Sequence, residues 1–226
     1  MMKFVYILLF LTVSLNSLFS AEADVRLGFK GGYSMATQYG ITLPNMQYTV
    51  DTYYRNGFAG GIMFNFPISE TFGVQQEFLY VMKGSSENIK MLTQPVSSNT
   101  VYKLNYFEIP FILRYTFVRF GDFKIYGSSG FALSILLNGE SSLKGVVDIN
   151  GTKMTFSGNT KLEGVDIFDY GFLYGAGLDF KLFKKDCFFE YRFNIGWNTL
   201  MMPTSEGQDP APLRNQDYIF TLGFYI

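Results

Sequence analysis

The chain has 226 residues, 18 Lys and Arg against 19 Asp and Glu, and a formal net charge of −1 with no histidine. That balance leaves no basic footprint for nucleic acid. The single Cys187 excludes an internal disulfide and a metal site built from cysteines.

The first residues have the layout of an export signal. Lys3 supplies the positive charge, residues 4–15 are apolar, and Ala21-Glu22-Ala23 offers a small-x-small cleavage site. A membrane-spanning helix needs about 20 apolar residues, and Thr12, Ser14, Asn16 and Ser17 interrupt the run too early. The expected division is a signal peptide over 1–23 and one domain over 24–226. No later run is apolar for long enough to span as a helix.

The rest of the chain breaks into eight segments that alternate with period two, as strands with one apolar face do. They cover residues 25–35, 57–66, 72–83, 102–117, 123–137, 168–182, 187–197 and 218–226. Segment three sets Phe72, Val74, Phe78, Tyr80 and Met82 against Gln75, Glu77 and Lys83. In segment four the apolar phase passes from Tyr102, Leu104 and Tyr106 to Phe107, Ile109, Phe111 and Leu113, which reads as a β-bulge near Tyr106-Phe107. The last segment places Tyr218, Phe220, Leu222, Phe224 and Ile226 on one face and runs to the terminus. Such an edge invites aggregation unless another strand closes it, and a barrel removes it.

The connections alternate as well. Residues 67–71, 118–122 and 183–186 are short links, whereas 36–56, 84–101, 138–167 and 198–217 are long and polar. Short periplasmic turns opposite long extracellular loops are the pattern of outer-membrane barrels. The expected fold is therefore all-β: an eight-stranded antiparallel up-and-down transmembrane β-barrel with both termini at the periplasmic end. A soluble lipocalin-like barrel is the competitor, with its apolar face inside. Three features favour the membrane. The apolar face carries too many Phe and Tyr for a narrow interior. The other face is rich in Gly, Ser and Ala. Aromatics also collect at segment ends, among them Phe66, Phe117, Trp197 and Tyr218.

With the apolar face outward, the lumen receives Arg26, Lys30, Glu77, Lys83, Glu108, Arg114, Lys124, Asp169, Asp179, Lys181, Glu190 and Arg192. Charges of both signs in a narrow, low-dielectric space persist only when paired. The expectation is a cross-linked polar plug with no open channel. No catalytic, metal or cofactor site is read from these residues. Barrel hydrolases and proteases generally lean on a histidine as base, and the chain has none. Aqueous porin channels need about 16 strands or more.

Several stretches taken in order resemble the PorT-like outer-membrane β-barrel family. They are Leu27-Gly28-Phe29-Lys30-Gly31-Gly32, Phe64-Asn65-Phe66-Pro67-Ile68-Ser69, Gln75-Gln76-Glu77-Phe78-Leu79-Tyr80, the run from Leu104 to Tyr115, and Tyr191-Arg192-Phe193-Asn194-Ile195-Gly196. The resemblance covers essentially the whole mature chain and implies an eight-stranded outer-membrane barrel. The founding member is associated with a secretion and gliding system, but most relatives have no assigned activity, and no catalytic motif carries over. The expected role is structural, anchoring or surface-interacting, with a small-solute pore or a secretion-system accessory as the alternative.

The expected partners are outer-membrane lipids, the barrel assembly machinery and a surface ligand held through loop 138–167. Phe224 and Ile226, on the apolar face of the last segment, resemble the signal read by that machinery. Within loop 138–167, Asn150-Gly151 between two alternating runs predicts a β-hairpin.

Overall fold

The computed structural model describes residues 25–40, 48–92, 95–149, 151–202 and 211–226. The expected signal peptide lies outside them. Among the described residues the chain forms ten strands: β1 (Arg26–Gly40), β2 (Tyr48–Pro67), β3 (Phe72–Met91), β4 (Val96–Phe120), β5 (Phe123–Ile149), β6 (Thr152–Lys161), β7 (Phe168–Leu182), β8 (Lys185–Gly196), β9 (Leu200–Met202) and β10 (Ala211–Tyr225). Each pairs antiparallel with its neighbour in the order β1-β2-β3-β4-β5-β7-β8-β10, and β10 returns to β1. The ring therefore closes through eight strands, while β6 and β9 hang on β5 and β10.

The last strand closes it as its alternation requires. Phe29 faces Phe224, Gly31 faces Leu222, and the Ile226 amide donates to the Leu27 carbonyl at 2.9 Å. Gly32 sits on this seam because a Cβ there would press on the Phe220 and Thr221 backbone of β10. The lowest links are tight turns. Gly121 and Asp122 join β4 to β5 with Gly121 at φ +57°, and Phe183 and Lys184 join β7 to β8, both at positive φ.

Two expectations change. Most of the long polar connections are strand. β2, β3, β4 and β5 run for 20, 20, 25 and 27 residues, well beyond the ~10 that cross a bilayer. Above the ring they form a second sheet, β2-β3-β4-β5-β6, standing on one half of the rim. The β5–β6 hairpin turns where Asn150-Gly151 predicted it; Asn150 itself lies outside the described residues, but Gly151 has φ +84° and its amide donates to Asp148 Oδ1.

The bulge expected in β4 is the other change. Pairing of β3 with β4 keeps one register from Gln76↔Phe111 through Lys90↔Ser97. The extra residue belongs to the partner strand: Asn105 faces Asn138 and Tyr106 faces Leu136, leaving Leu137 unpaired on β5. From Leu104 to Arg114 the inward parity of β4 is unbroken, so Leu104 and Tyr106 point into the barrel with Glu108 and Arg114, all of them buried, and the one extra residue on β4 itself is Phe117 near the lower turn. The apolar phase changes because the strand leaves lipid. Outward positions on β4 read Phe107, Phe111 and Leu113 in the ring, then Lys103, Asn99 and Ser97 above it. A strand in water turns its polar face outward, and one in lipid its apolar face.

Candidate functional site

Inward positions of the ring build a layered lumen. At the short-turn end Arg114 Nη2 meets Asp179 Oδ1 at 2.8 Å, its guanidinium lies 3.6 Å from the centre of the Tyr126 ring, and Nη1 donates to Tyr225 Oη at 2.5 Å. Arg26 reaches Asp186 at 3.5 Å and is partly exposed.

One level up, four charges from three strands form a closed cage. Lys30 of β1 donates to Glu77 Oε1 and to Glu190 Oε1, both at 2.8 Å. Arg192 grips Glu77 through two bonds, Nη1 to Oε2 at 2.8 Å and Nη2 to Oε1 at 2.9 Å, and reaches Glu190 at 2.6 Å. Gln75 adds a third donor to Glu77 Oε1, and Tyr126 donates to Glu190 Oε2. Two cations and two carboxylates cancel. All four side chains are at most 2% exposed, so removing one leaves its partners uncompensated out of water.

The third level is not balanced. Lys83 meets Glu108 at 2.6 Å and Asp217 at 3.5 Å, and Asp169 is held by Asn215 at 2.9 Å. Ser134 donates to Glu108 Oε2 and Asn194 to Asp217 Oδ2. One lysine serves three carboxylates. Glu108 Oε1, Asp169 Oδ1 and Asp217 Oδ1 receive no hydrogen bond from the protein. Among the described residues no three His, Cys, Asp or Glu side chains converge as metal ligands.

At the same level Leu104 and Tyr106 pack with Leu136 and Leu162, while the Tyr106 hydroxyl accepts from Asn215 and the Lys83 ammonium lies 5.4 Å from the centre of its ring. Apolar residues also pack between the charged levels, with Ala59, Leu79, Val81 and Ile219 in one group and Met63, Phe188 and Tyr225 in another. The inward side chains therefore form a stack of ion pairs and hydrocarbon, where the sequence suggests a wholly polar filling.

Of the twelve charged residues read into the lumen, Lys30, Glu77, Lys83, Glu108, Arg114, Asp169, Glu190 and Arg192 are buried there and Asp179 is partly so. Arg26, Lys124 and Lys181 sit at the short-turn end, and Lys181 makes only an exposed pair with Asp122 at 3.4 Å. Sequence reading missed Asp217, assigned to a loop, although it alternates in phase with Ile219 and Thr221. It also missed Asn215, assigned to the same loop, whereas Gln75 and Asn194 lie inward as the alternation placed them. Phe220, Leu222, Phe224 and Ile226 are exposed on the outer wall, with Tyr218 beside them against Phe193 and Tyr191.

In the outer sheet the neighbouring faces reverse. Val50, Ile89, Val96, Leu143, Val147 and Met154 share the inward face, while Asn88, Lys90, Asn99 and Lys144 share the outward one. Burial raises the Glu87 carboxyl above its ordinary range and, with Glu87 nearby, pushes the Tyr102 hydroxyl up to about 12. Arg55 donates to the Lys83 carbonyl where β2 carries an extra residue between Tyr54 and Ala59.

A family model described as "Outer membrane protein beta-barrel domain" matches residues 16–201. Solved structures are similar at low identity. The outer membrane protein OprG from Pseudomonas aeruginosa has a TM-score of 0.47 and 10% identity, over 90% of this chain and 97% of that one. Neisserial surface protein A gives 0.40 and 14%, over 88% and 96%. The attachment invasion locus protein Ail of Yersinia pestis gives 0.36 and 11%, over 91% and 100%. No curated protein matches the sequence.

Proposed function

The chain belongs to the outer membrane protein β-barrel domain family, and from that premise we propose that it is a non-conducting anchor presenting the β2–β6 sheet at the cell surface as an interaction platform. One observation carries this reading: strands of 20 to 27 residues continue beyond the ring as a paired sheet, and the inward side of the ring is occupied by paired charges and buried apolar side chains. A barrel built only to span needs ~10 residues per strand. The rest of β2 to β5 has no spanning role and serves as display.

Short turns opposite long hairpins support a periplasmic position for the former and an extracellular one for the sheet. Absence of histidine supports a non-catalytic role. The motifs around Leu104 to Tyr115 support placement within the PorT-like group, with association to a secretion system as its accessory form. Tyr218 to Ile226 serves as the assembly signal, and 1–23 as the cleaved export signal.

Labelling of intact cells tests the proposal. A single cysteine in the β5–β6 hairpin, such as Thr155→Cys in a Cys187→Ser background, should react with a membrane-impermeant maleimide. One at Asp122 should react only after the outer membrane is opened. Reversed accessibility would overturn the display role.

A further inference from the structure

We propose that the outward face of the β2–β6 sheet carries a binding groove for an acidic oligosaccharide; this deepens the display role and rests on it. The groove has a volume of about 580 Å³ and crosses β3, β4, β5 and β6. Register defines its walls. Asn88, Asn99, Lys144 and Ser157 are consecutive cross-strand partners and form one row. Lys90, Ser97, Val146 and Thr155 stand in the row two residues along, on the same face, with Val146 as its one apolar member. Between the rows Ile89, Ser98, Gly145 and Phe156 take the opposite face, and the Phe156 ring fills the space where a side chain at Gly145 would stand. The floor between the rows is therefore backbone.

Strand geometry sets the dimensions. Two residues along a strand separate the rows by ~7 Å, and three inter-strand steps give a length of ~14 Å. A chain of about three sugar rings fits such a space. The walls supply amides, hydroxyls and ammonium groups, which match the mixed donors and acceptors of sugar hydroxyls. Asn99 is fixed by hydrogen bonds to Ser86 Oγ at 3.1 Å and Asn88 Oδ1 at 2.6 Å, so part of the wall is set before a ligand arrives.

Charge selects an acid. Lys90 and Lys144 lie exposed on opposite walls with no ion-pair partner among the described residues. On the same face Asp51 of β2 extends the first row beside Asn88, one strand outside the groove, and Asp148 accepts from the Gly151 amide. An acidic peptide is the competing occupant. It is disfavoured because the groove runs across the strands, where the sheet's own amides and carbonyls are used in the ladder and leave a peptide backbone unpaired.

The test uses the full chain in nanodiscs and calorimetry with a galacturonic acid tetramer, with maltotetraose as the neutral control. Saturable binding of the acidic sugar, at least tenfold tighter than the neutral one and weakening between 50 and 300 mM salt, is expected. Lys90→Gln with Lys144→Gln should lower affinity at least tenfold, and the charge-reversing Lys144→Glu should abolish it. Retention of the unboiled gel shift certifies that these variants fold. Undetectable binding, binding indifferent to the lysines, or preference for a poly-glutamate peptide over the sugar would overturn the inference. The assay needs no cell, so its failure leaves the labelling result, and with it the display role, standing.

Discussion

The ring and the sheet above it are made from the same strands, yet their faces carry opposite chemistry. On β3, Glu77 and Lys83 point inward and Phe78 and Tyr80 outward in the ring; higher up Ile89 points inward and Asn88 and Lys90 outward. β4 repeats the switch, from Glu108 inward and Phe107 outward to Val96 inward and Asn99 outward. Strand geometry is the same in both, so the medium decides. Where lipid surrounds the wall, polar groups turn in and must find each other. Where water surrounds it, lysine and amide side chains turn out, although Glu87, Ser98 and Thr100 keep the inward face mixed. The ring is therefore held by internal pairing, and the sheet is the part with chemistry to spare.

The sharpest break of this contrast lies in the cage. Glu77→Ala leaves Lys30 and Arg192 sharing Glu190, and should cost about 3–5 kcal/mol of barrel stability, read as a fall in the urea midpoint of the gel-shifted form. Phe224→Asp attacks the same region from outside. It should lower the yield of inserted barrel, with a cost up to about 2 kcal/mol depending on depth. Normal levels of folded Phe224→Asp would mean that the outer wall of β10 does not face lipid.

A finer comparison lies within the lumen. Glu108→Gln should cost less than Glu77→Gln, roughly 1–2 kcal/mol, because Lys83 keeps Asp217 and stays near Asp169 while the surplus of negative charge falls. Equal losses in the two variants would show that the third level is as tightly balanced as the cage. In the sheet, Glu140→Ala should stay within about 0.5 kcal/mol, as exposed positions do.

The smallest expected effect is a pH response confined to the sheet. Burial raises the Glu87 carboxyl. A raised carboxyl favours the folded sheet at low pH, and that share is lost as pH rises through its folded value. Resistance of the β3–β4 hairpin to limited proteolysis should therefore decline modestly from mildly acidic to neutral pH, and Glu87→Gln should flatten the trend. A trend that persists in Glu87→Gln would assign it to another group.

Much of the ring was legible because period-two alternation over ten residues is a strong signal, and the turn chemistry of Asn150-Gly151 marked where the β5–β6 hairpin reverses. Eight of the twelve lumenal charges are buried there for the same reason: inward parity follows from the apolar partners at i±1. The upper sheet was hidden because its strands are too polar to look like strands when lipid is assumed outside. Segment four shows this directly. The phase change at Tyr106-Phe107 is real, but it marks the exit from the membrane, and the extra residue is Leu137 on β5. Asp217 was lost with the same loop assignment. The apolar layers of the lumen, such as Met63 against Phe188 and Tyr225, depend on which inward residues meet across the barrel, which no single strand reveals.

The central claim is that paired charges and the apolar side chains packed between them close the barrel, so that its working part is the sheet. Single-channel recording in planar bilayers addresses it most directly. Purified protein should show no steady, large-conductance open state from pH 5 to 8, and Glu77→Ala should raise current noise without producing a stable pore. A stable porin-like conductance in the wild type, altered by Glu77→Ala or Glu108→Gln, would contradict the account and make transport through the lumen the leading function.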